Sequence, residues 1–259
     1  MDSNKIQKNI DTIFSNYGSI EKKIHVSWKN KNIIDKPYSI IQNGILQLKN
    51  LNPDYEFTIS DDADIEDYLK KYLLSQDYQL IKEKKIVEKT DLWRLLKIYN
   101  EGGVYMDIDR LCNIPLSSII KPETKCILPL IPDFGFAQDI MISCSKNIIF
   151  KLAINLNIQR RRSTNQMIIP NQIRTKNILD LGPGTYMNAI TKVLFGKQIN
   201  LNPGNNVLNF FSHIIARSPY LETYKEDSSY NTIIYQGVPV IIDKGEMYHN
   251  ESVKHWASI

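Results

Sequence analysis

The chain has 259 residues, 42% of them hydrophobic, with 23% charged residues and a formal net charge of +4. It is long enough to bury a substantial core. The mild positive charge is scattered, with no sustained basic face interleaved with aromatics, so nucleic acid is a poor fit as a partner. No Pro/Gly/Ser-rich linker, repeat or low-complexity tract divides the chain, and a single domain over 1–259, with residues 1–20 as an N-terminal helical extension, is the simplest expectation.

In chain order, residues 4–14 read as a short amphipathic helix, and Ile24 to Trp28 as a strand. Ser39 to Leu48 reads as a helix, Tyr55 to Ser60 as a strand, and Asp64 to about Lys85 as polar helical segments. From Thr90 the periodicity sharpens. Leu92, Leu95, Leu96 and Tyr99 form one apolar stripe, Thr90 is a plausible N-cap, and Gly102-Gly103 a plausible stop. Asp91 and Arg94, three apart, share a face, either as a surface ion pair or as a polar pair that holds a hydroxylated ligand.

The glycine pair feeds the predicted strand Val104 to Ile108 and two acids, Asp107 and Asp109. Positions two apart on a strand point the same way, so these carboxylates converge if the strand runs through them. Converging carboxylates repel unless a cation sits among them, and an oxygen-rich site of this kind suits Mn²⁺ or Mg²⁺ carrying substrate phosphates. The plain alternative is two solvated acids at a strand end.

Further strands are expected at Cys126 to Leu130 and Ile140 to Ser143, helices at Asn147 to Arg160 and Thr185 to Phe195, and late strands near Phe211 to Ala216 and Val238 to Ile242. The alternation implies an α/β sheet with helices on both sides. Nucleotides bind such sheets beyond the C-terminal strand ends, where Trp28 and the two acids would lie. The run Arg160-Arg161-Arg162 reads as a solvated helix end or as a patch for an anionic acceptor or membrane surface. The opening Met1-Asp2-Ser3-Asn4-Lys5 lacks the apolar core of a signal peptide. No window approaches the roughly 18 apolar residues of a membrane span. Three cysteines, Cys112, Cys126 and Cys144, lack metal-site spacing, so reduced thiols and a cytoplasmic location, in solution or at a membrane periphery, are expected.

The run D-L-W-R-L-L-K-I-Y-N-E-G-G-V-Y-M-D-I-D, residues 91–109, resembles the signature of glycosyltransferase family 32, the D-x-D sugar transferases that include bacterial capsule and lipopolysaccharide enzymes. Lys22 through Trp28 is similar to the family's I-P-K-x-I-H-x-x-W opening, with lysine at the proline position. Asn52 through Asp62 is similar to its second strand. Gly182-Pro183-Gly184 resembles its T-G-P turn, with leucine for threonine, and Gln138 through Ser143 its N-x-x-x-x-S strand, with glutamine for asparagine. His249 through Trp256 resembles its C-terminal segment.

The resemblance implies a GT-A-like, Rossmann-like mixed sheet of the nucleotide-diphospho-sugar transferase type. It implies retaining transfer of a hexose from a UDP- or GDP-sugar to a glycan, glycolipid or glycoprotein hydroxyl, with Mn²⁺ or Mg²⁺ as cofactor, as in polysaccharide biosynthesis. By the same token Asp109 ligates the metal and Asp107 contacts donor ribose or sugar, while Asp91 and Arg94 hold sugar hydroxyls. Trp28 stacks on the base with Val26 beside it, Gln138 and Asp139 line the sugar side, Trp256 donates to the β-phosphate, and His249 or His255 completes the metal shell. His25 is read as a structural hydrogen-bonding residue. Two other classes share these acids: a catalytically silent nucleotide-sugar-binding module and a Mg²⁺-dependent phosphate-ester hydrolase.

Overall fold

The computed structural model describes residues 3–35, 40–131, 135–164, 181–196, 218–222, 225–226, 232–235 and 238–243. In chain order these hold α1 (Ser3–Phe14), β1 (Lys23–Ser27), α2 (Ile40–Leu51), β2 (Glu56–Ser60), α3 (Asp62–Tyr72), α4 (Ser75–Tyr78) and α5 (Ile86–Glu101). Then come β3 (Gly103–Met106), β4 (Arg110–Cys112), β5 (Cys126–Ile127), β6 (Leu130–Ile131), β7 (Gly135–Phe136), β8 (Ile140–Ser143) and α6 (Ile148–Thr164). The chain continues with α7 (Pro183–Phe195), β9 (Leu221–Glu222), β10 (Lys225–Glu226), β11 (Thr232–Tyr235) and β12 (Val238–Asp243).

The strands form two sheets, ordered β2-β1-β3-β8-β5-β9 and β4-β12-β11-β10-β6-β7. In the first, β1 lies parallel between β2 and β3, whereas β3 and β8 are antiparallel, so the sheet is mixed. Side chains alternate across it. Tyr105 and Met141 face a core with Ile6, Ile10 and Phe14 of α1, Trp93 and Leu95 of α5, Phe150 of α6 and Tyr186 of α7. Ile24, Val26, Val104, Met106 and Ile142 face the other way, toward Leu48 of α2 and Leu116. The expected α/β architecture with helices on both faces is present. Among the described residues no helix is long and apolar enough to cross a membrane.

Several sequence expectations change. Thr90 does not cap α5. The helix begins a turn earlier, at Ile86, and the Thr90 hydroxyl bonds back to the Ile86 carbonyl at 2.9 Å. The stop is as expected: Gly102 takes φ 65° and Gly103 φ 91°, the left-handed region that glycine enters without penalty. The central strand ends at Met106, before both acids. The expected strand Cys126 to Leu130 breaks into β5 and β6, which join different sheets. The polar segment from Asp64 resolves into α3, opened by a reciprocal Asp61/Asp64 capping box, and one-turn α4. The second sheet was not legible as a unit, because its strands are two to six residues long. The strand expected at Phe211 to Ala216 lies outside the described residues.

The basic run is mostly structural. Arg161 is buried and donates to Asn157 Oδ1 (2.7 Å), Glu88 Oε2 (3.0 Å) and the Glu88 carbonyl (3.3 Å), and Arg162 pairs with Asp77.

Candidate functional site

Three parallel strands, β2, β1 and β3, end along one edge at Ser60, Ser27 and Met106. Trp28 follows β1 directly, its N–H bonded to the Ser60 carbonyl at 3.0 Å, and Asp107 follows β3. This is the edge at which α/β sheets present ligand sites. Trp28 is partly exposed, and its ring packs beside Ile33, Ile41 and Ile45. Val26, by contrast, has its side chain in the core, so only its backbone is placed to meet a ligand.

α5 brings Asp91 and Arg94 up beneath β3. Arg94 Nη2 lies 2.9 Å from Asp91 Oδ1, and Nη1 lies 3.2 Å from Asp107 Oδ1 and donates to the Gln138 carbonyl at 3.3 Å. The pair is therefore no surface salt bridge: the side chains of Arg94 and Asp91 are 10% and 9% exposed. One guanidinium ties two acids from two elements into a row. Tyr105 extends it, since its hydroxyl donates to Asp107 Oδ1 and its ring lies 5.0 Å beneath the Arg94 guanidinium. Tyr105 stands two residues before Asp107 in sequence, close enough for its hydroxyl to reach the carboxylate from the end of β3.

Electrostatics follow from this crowding. Burial pushes the Asp91 carboxyl up to about 6, with Arg94 pulling it down and Asp107 pushing it up. Burial likewise raises Asp107 to about 6, again opposed by Arg94 and reinforced by Asp109 and Asp139. Asp107 keeps 32% side-chain exposure, so water moderates the effect there more than at Asp91. For Arg94, burial works against the charge, but Asp107, Tyr105, Asp91 and Asp139 outweigh it and hold its proton more tightly than normal.

The strand alternation expected to make Asp107 and Asp109 converge does not apply. Both lie in a tight turn, closed by Arg110 N–H donating to the Asp107 carbonyl at 3.0 Å. The turn still gathers acids, since Asp109 and Asp139 both act on Asp107. Gln138 and Asp139 come from the approach to β8. The Asp139 carbonyl accepts the Asp107 N–H at 2.8 Å, and the Gln138 side-chain amide is buried with no partner among the described residues. Gly182, just ahead of α7, approaches Asp91 so closely that an added Cβ would collide with the carboxylate. His25 fills the structural role expected: its Nε2 lies 2.9 Å from the Gly102 carbonyl, and burial followed by Lys97 lowers it to about 4.

Among the described residues, no group of three or more His, Cys, Asp or Glu is arranged to hold a metal ion by itself. The gathered carboxylates do offer the hard oxygen donors that Mg²⁺ or Mn²⁺ takes, with the remaining ligands left to phosphate, water or other protein groups. His249, His255 and Trp256 lie outside the described residues. Their attachment point does not: Asp243, at the end of β12, is the register partner of Arg110, next to Asp109.

Residues 3–125 match the model of the glycosyltransferase sugar-binding region containing DXD motif, a stretch that includes Trp28, Asp91, Arg94, Asp107 and Asp109. Inositol phosphoceramide mannosyltransferase 3 of Schizosaccharomyces pombe is 29% identical over 114 residues, 42% of this chain and 30% of the relative. The chain therefore spans less than a third of that relative's length. Among solved structures, PaToxG Glycosyltransferase is 22% identical, with 73% of this chain and 74% of the other covered and a TM-score of 0.48. The chain is thus similar in its N-terminal half to the family-32 type of D-x-D transferase.

Proposed function

We propose that this chain, with its D-x-D sugar-binding region, is a metal-dependent, retaining glycosyltransferase of GT-A-like fold that moves a hexose from a UDP- or GDP-sugar to a hydroxyl acceptor. The observation that carries the reading is the row Asp91–Arg94–Asp107, its first two side chains buried and Asp107 partly exposed, set under the strand edge that also presents Trp28. Ionised carboxylates accept hydrogen bonds from sugar hydroxyls, and Arg94 fixes both at a set spacing. Arg94 itself has little exposure, and its two terminal nitrogens are spent on Asp91, Asp107 and Gln138. Its role is to brace the carboxylates rather than to meet phosphate.

In this reading Trp28 stacks on the base, a contact tolerant of base identity. Asp107 and Asp91 orient the donor sugar, and Gln138 and Asp139 bound its far side. Asp109 holds the divalent cation, with His249 or His255 from the chain beyond β12, and Trp256 meets the β-phosphate. The cation, when bound, supplies Lewis-acid stabilisation of the diphosphate leaving group. In this reading transfer proceeds by front-face substitution, with the leaving phosphate helping to deprotonate the acceptor. The acceptor is a glycan, glycolipid or glycoprotein hydroxyl. In this reading residues 1–259 form one domain.

The test is a panel of UDP- and GDP-sugars with Mn²⁺, followed by release of nucleoside diphosphate. Chelation should abolish release, and Asp109→Ala should lower it about a hundredfold or more. Turnover unaffected by Asp109→Ala refutes the metal role. Donor-dependent thermal stabilisation without turnover would point instead to a silent binding module.

A further inference from the structure

We propose that Arg110 is a positioning residue that, acting through Asp139, fixes the turn carrying Asp107 and Asp109. The turn is held at both ends by one residue. At its start, the Asp107 N–H donates to the Asp139 carbonyl at 2.8 Å. At its end, Arg110 reaches back to the Asp139 side chain: Nε donates to Oδ2 at 2.9 Å and Nη2 donates to the same oxygen. Between them the Arg110 N–H closes the turn on the Asp107 carbonyl. The Arg110 side chain is only 4% exposed, whereas Asp139 keeps 27%, so the arginine is the desolvated partner of the pair.

Its position makes it more than a local tie. Asp139 directly precedes β8 in the first sheet, and Arg110 opens β4 in the second. The D-x-D turn is one of the covalent passages between the two sheets, and the Arg110–Asp139 pair is a side-chain bridge across the same junction. Charge distribution points the same way. Two guanidiniums serve the acids gathered at this corner, with Arg94 on Asp91 and Asp107, and Arg110 on Asp139. Removing Arg110 leaves Asp139 as an uncompensated, half-buried acid beside Asp107, a cost that its remaining exposure to water moderates. Arg94, which already feels Asp139, would then be shared among three acids. The planar fork matters as well as the charge, because lysine offers a point charge without two fixed N–H directions.

The activity arm of the test rests on the proposed transferase reading, and the exchange arm does not. Arg110→Leu, Arg110→Lys, Asp139→Asn and the Arg110→Leu/Asp139→Asn double variant are compared by steady-state nucleotide-sugar hydrolysis and by amide hydrogen exchange with mass spectrometry. Arg110→Leu should lower kcat by about 10- to 100-fold while the donor KM moves less than about threefold, as expected when reacting groups are misplaced rather than removed. Peptides covering 103–112 should exchange faster, while those of α6 keep wild-type protection. Arg110→Lys should fall between wild type and Arg110→Leu, and the double variant should lose less than the sum of the two single losses. A kcat within about twofold of wild type, fully additive losses, or unchanged or uniformly accelerated exchange would each overturn the proposal. If the wild-type protein turns over no UDP- or GDP-sugar, the transferase reading fails, and local exchange at 103–112 alone decides the role of Arg110.

Discussion

Asp91 occupies the least comfortable position in the site. It is nearly solvent-free, faces Arg94 on one side and abuts the Gly182 backbone on the other. Burial outweighs the ion pair, and its carboxyl rises from 3.8 to about 6. The sign of the resulting linkage is definite. Between about pH 4 and 6 the folded state holds the proton that the unfolded chain has released, so this residue's contribution to stability falls as pH rises through that window. Asn cannot titrate. The melting temperature of Asp91→Asn minus that of wild type, measured with chelator present, should therefore climb from pH 4 to pH 7. A difference that is flat or falls with pH would show that Asp91 is not held above its ordinary value. The comparison must be made against wild type because His25 acts oppositely: lowered to about 4 by burial and Lys97, it adds stability as pH rises from 4 toward 6.5. At this scale much of the site was legible. The three-residue spacing predicted that Asp91 and Arg94 share a face, and D-x-D marked the acids. That the pair is buried, and that Arg110 and Asp139 are partners, was not, since they stand 29 residues apart and meet only through the sheet.

The α5–β3 element is where the sequence speaks most clearly, because helix, stop and strand are all encoded locally. The apolar stripe around Leu92, Leu95 and Leu96 buries α5 on the core, and the left-handed glycines turn the chain into β3. The helix start was misread for a local reason. Lys85 caps without a side-chain hydrogen bond, so no Ser, Thr, Asp or Asn marks the true beginning, and Thr90 offers itself instead. The strand end was misread because Val104 to Ile108 looks continuous, whereas the tight turn at Asp107 replaces the ladder. Gly103 carries the heaviest constraint. It has φ 91°, and an added Cβ would collide with the Lys23 carbonyl of β1, a rigid backbone group. Gly103→Ala should therefore destabilise the fold by about 1–3 kcal/mol or more through strain, on top of loosening the β1–β3 pairing. Urea unfolding measures it directly: a midpoint equal to wild type would mean that the β3 entry adapts freely.

For the molecule as a whole, the D-x-D turn is a junction. It closes the parallel edge of the first sheet, opens β4 of the second, and through β4 meets β12, whose last residue Asp243 is the register partner of Arg110. Sequence periodicity could foresee β12 but not its partner, since pairing of distant short strands leaves no local signature. That pairing gives the C-terminal residues a defined origin. His249 lies six positions beyond Asp243, and a chain of that length can span up to about 20 Å, enough in length for His249 to reach Asp109. His255, twelve residues on, is less tightly bounded. Ending the chain after Asp243 keeps β12 and its ladder to β4 but removes both histidines and Trp256. The truncated protein should keep a thermal midpoint within a few degrees of full length, because the ladder remains, yet lose Mn²⁺-stimulated release of nucleoside diphosphate. His249→Ala in the full chain should raise the Mn²⁺ concentration needed for half-maximal release about 10- to 100-fold, the scale of losing one ligand-type contact. His255→Ala should do so less. Full Mn²⁺-dependent turnover in the truncated chain would remove the C-terminal residues from the metal site and leave the ion to Asp109, neighbouring acids and the diphosphate.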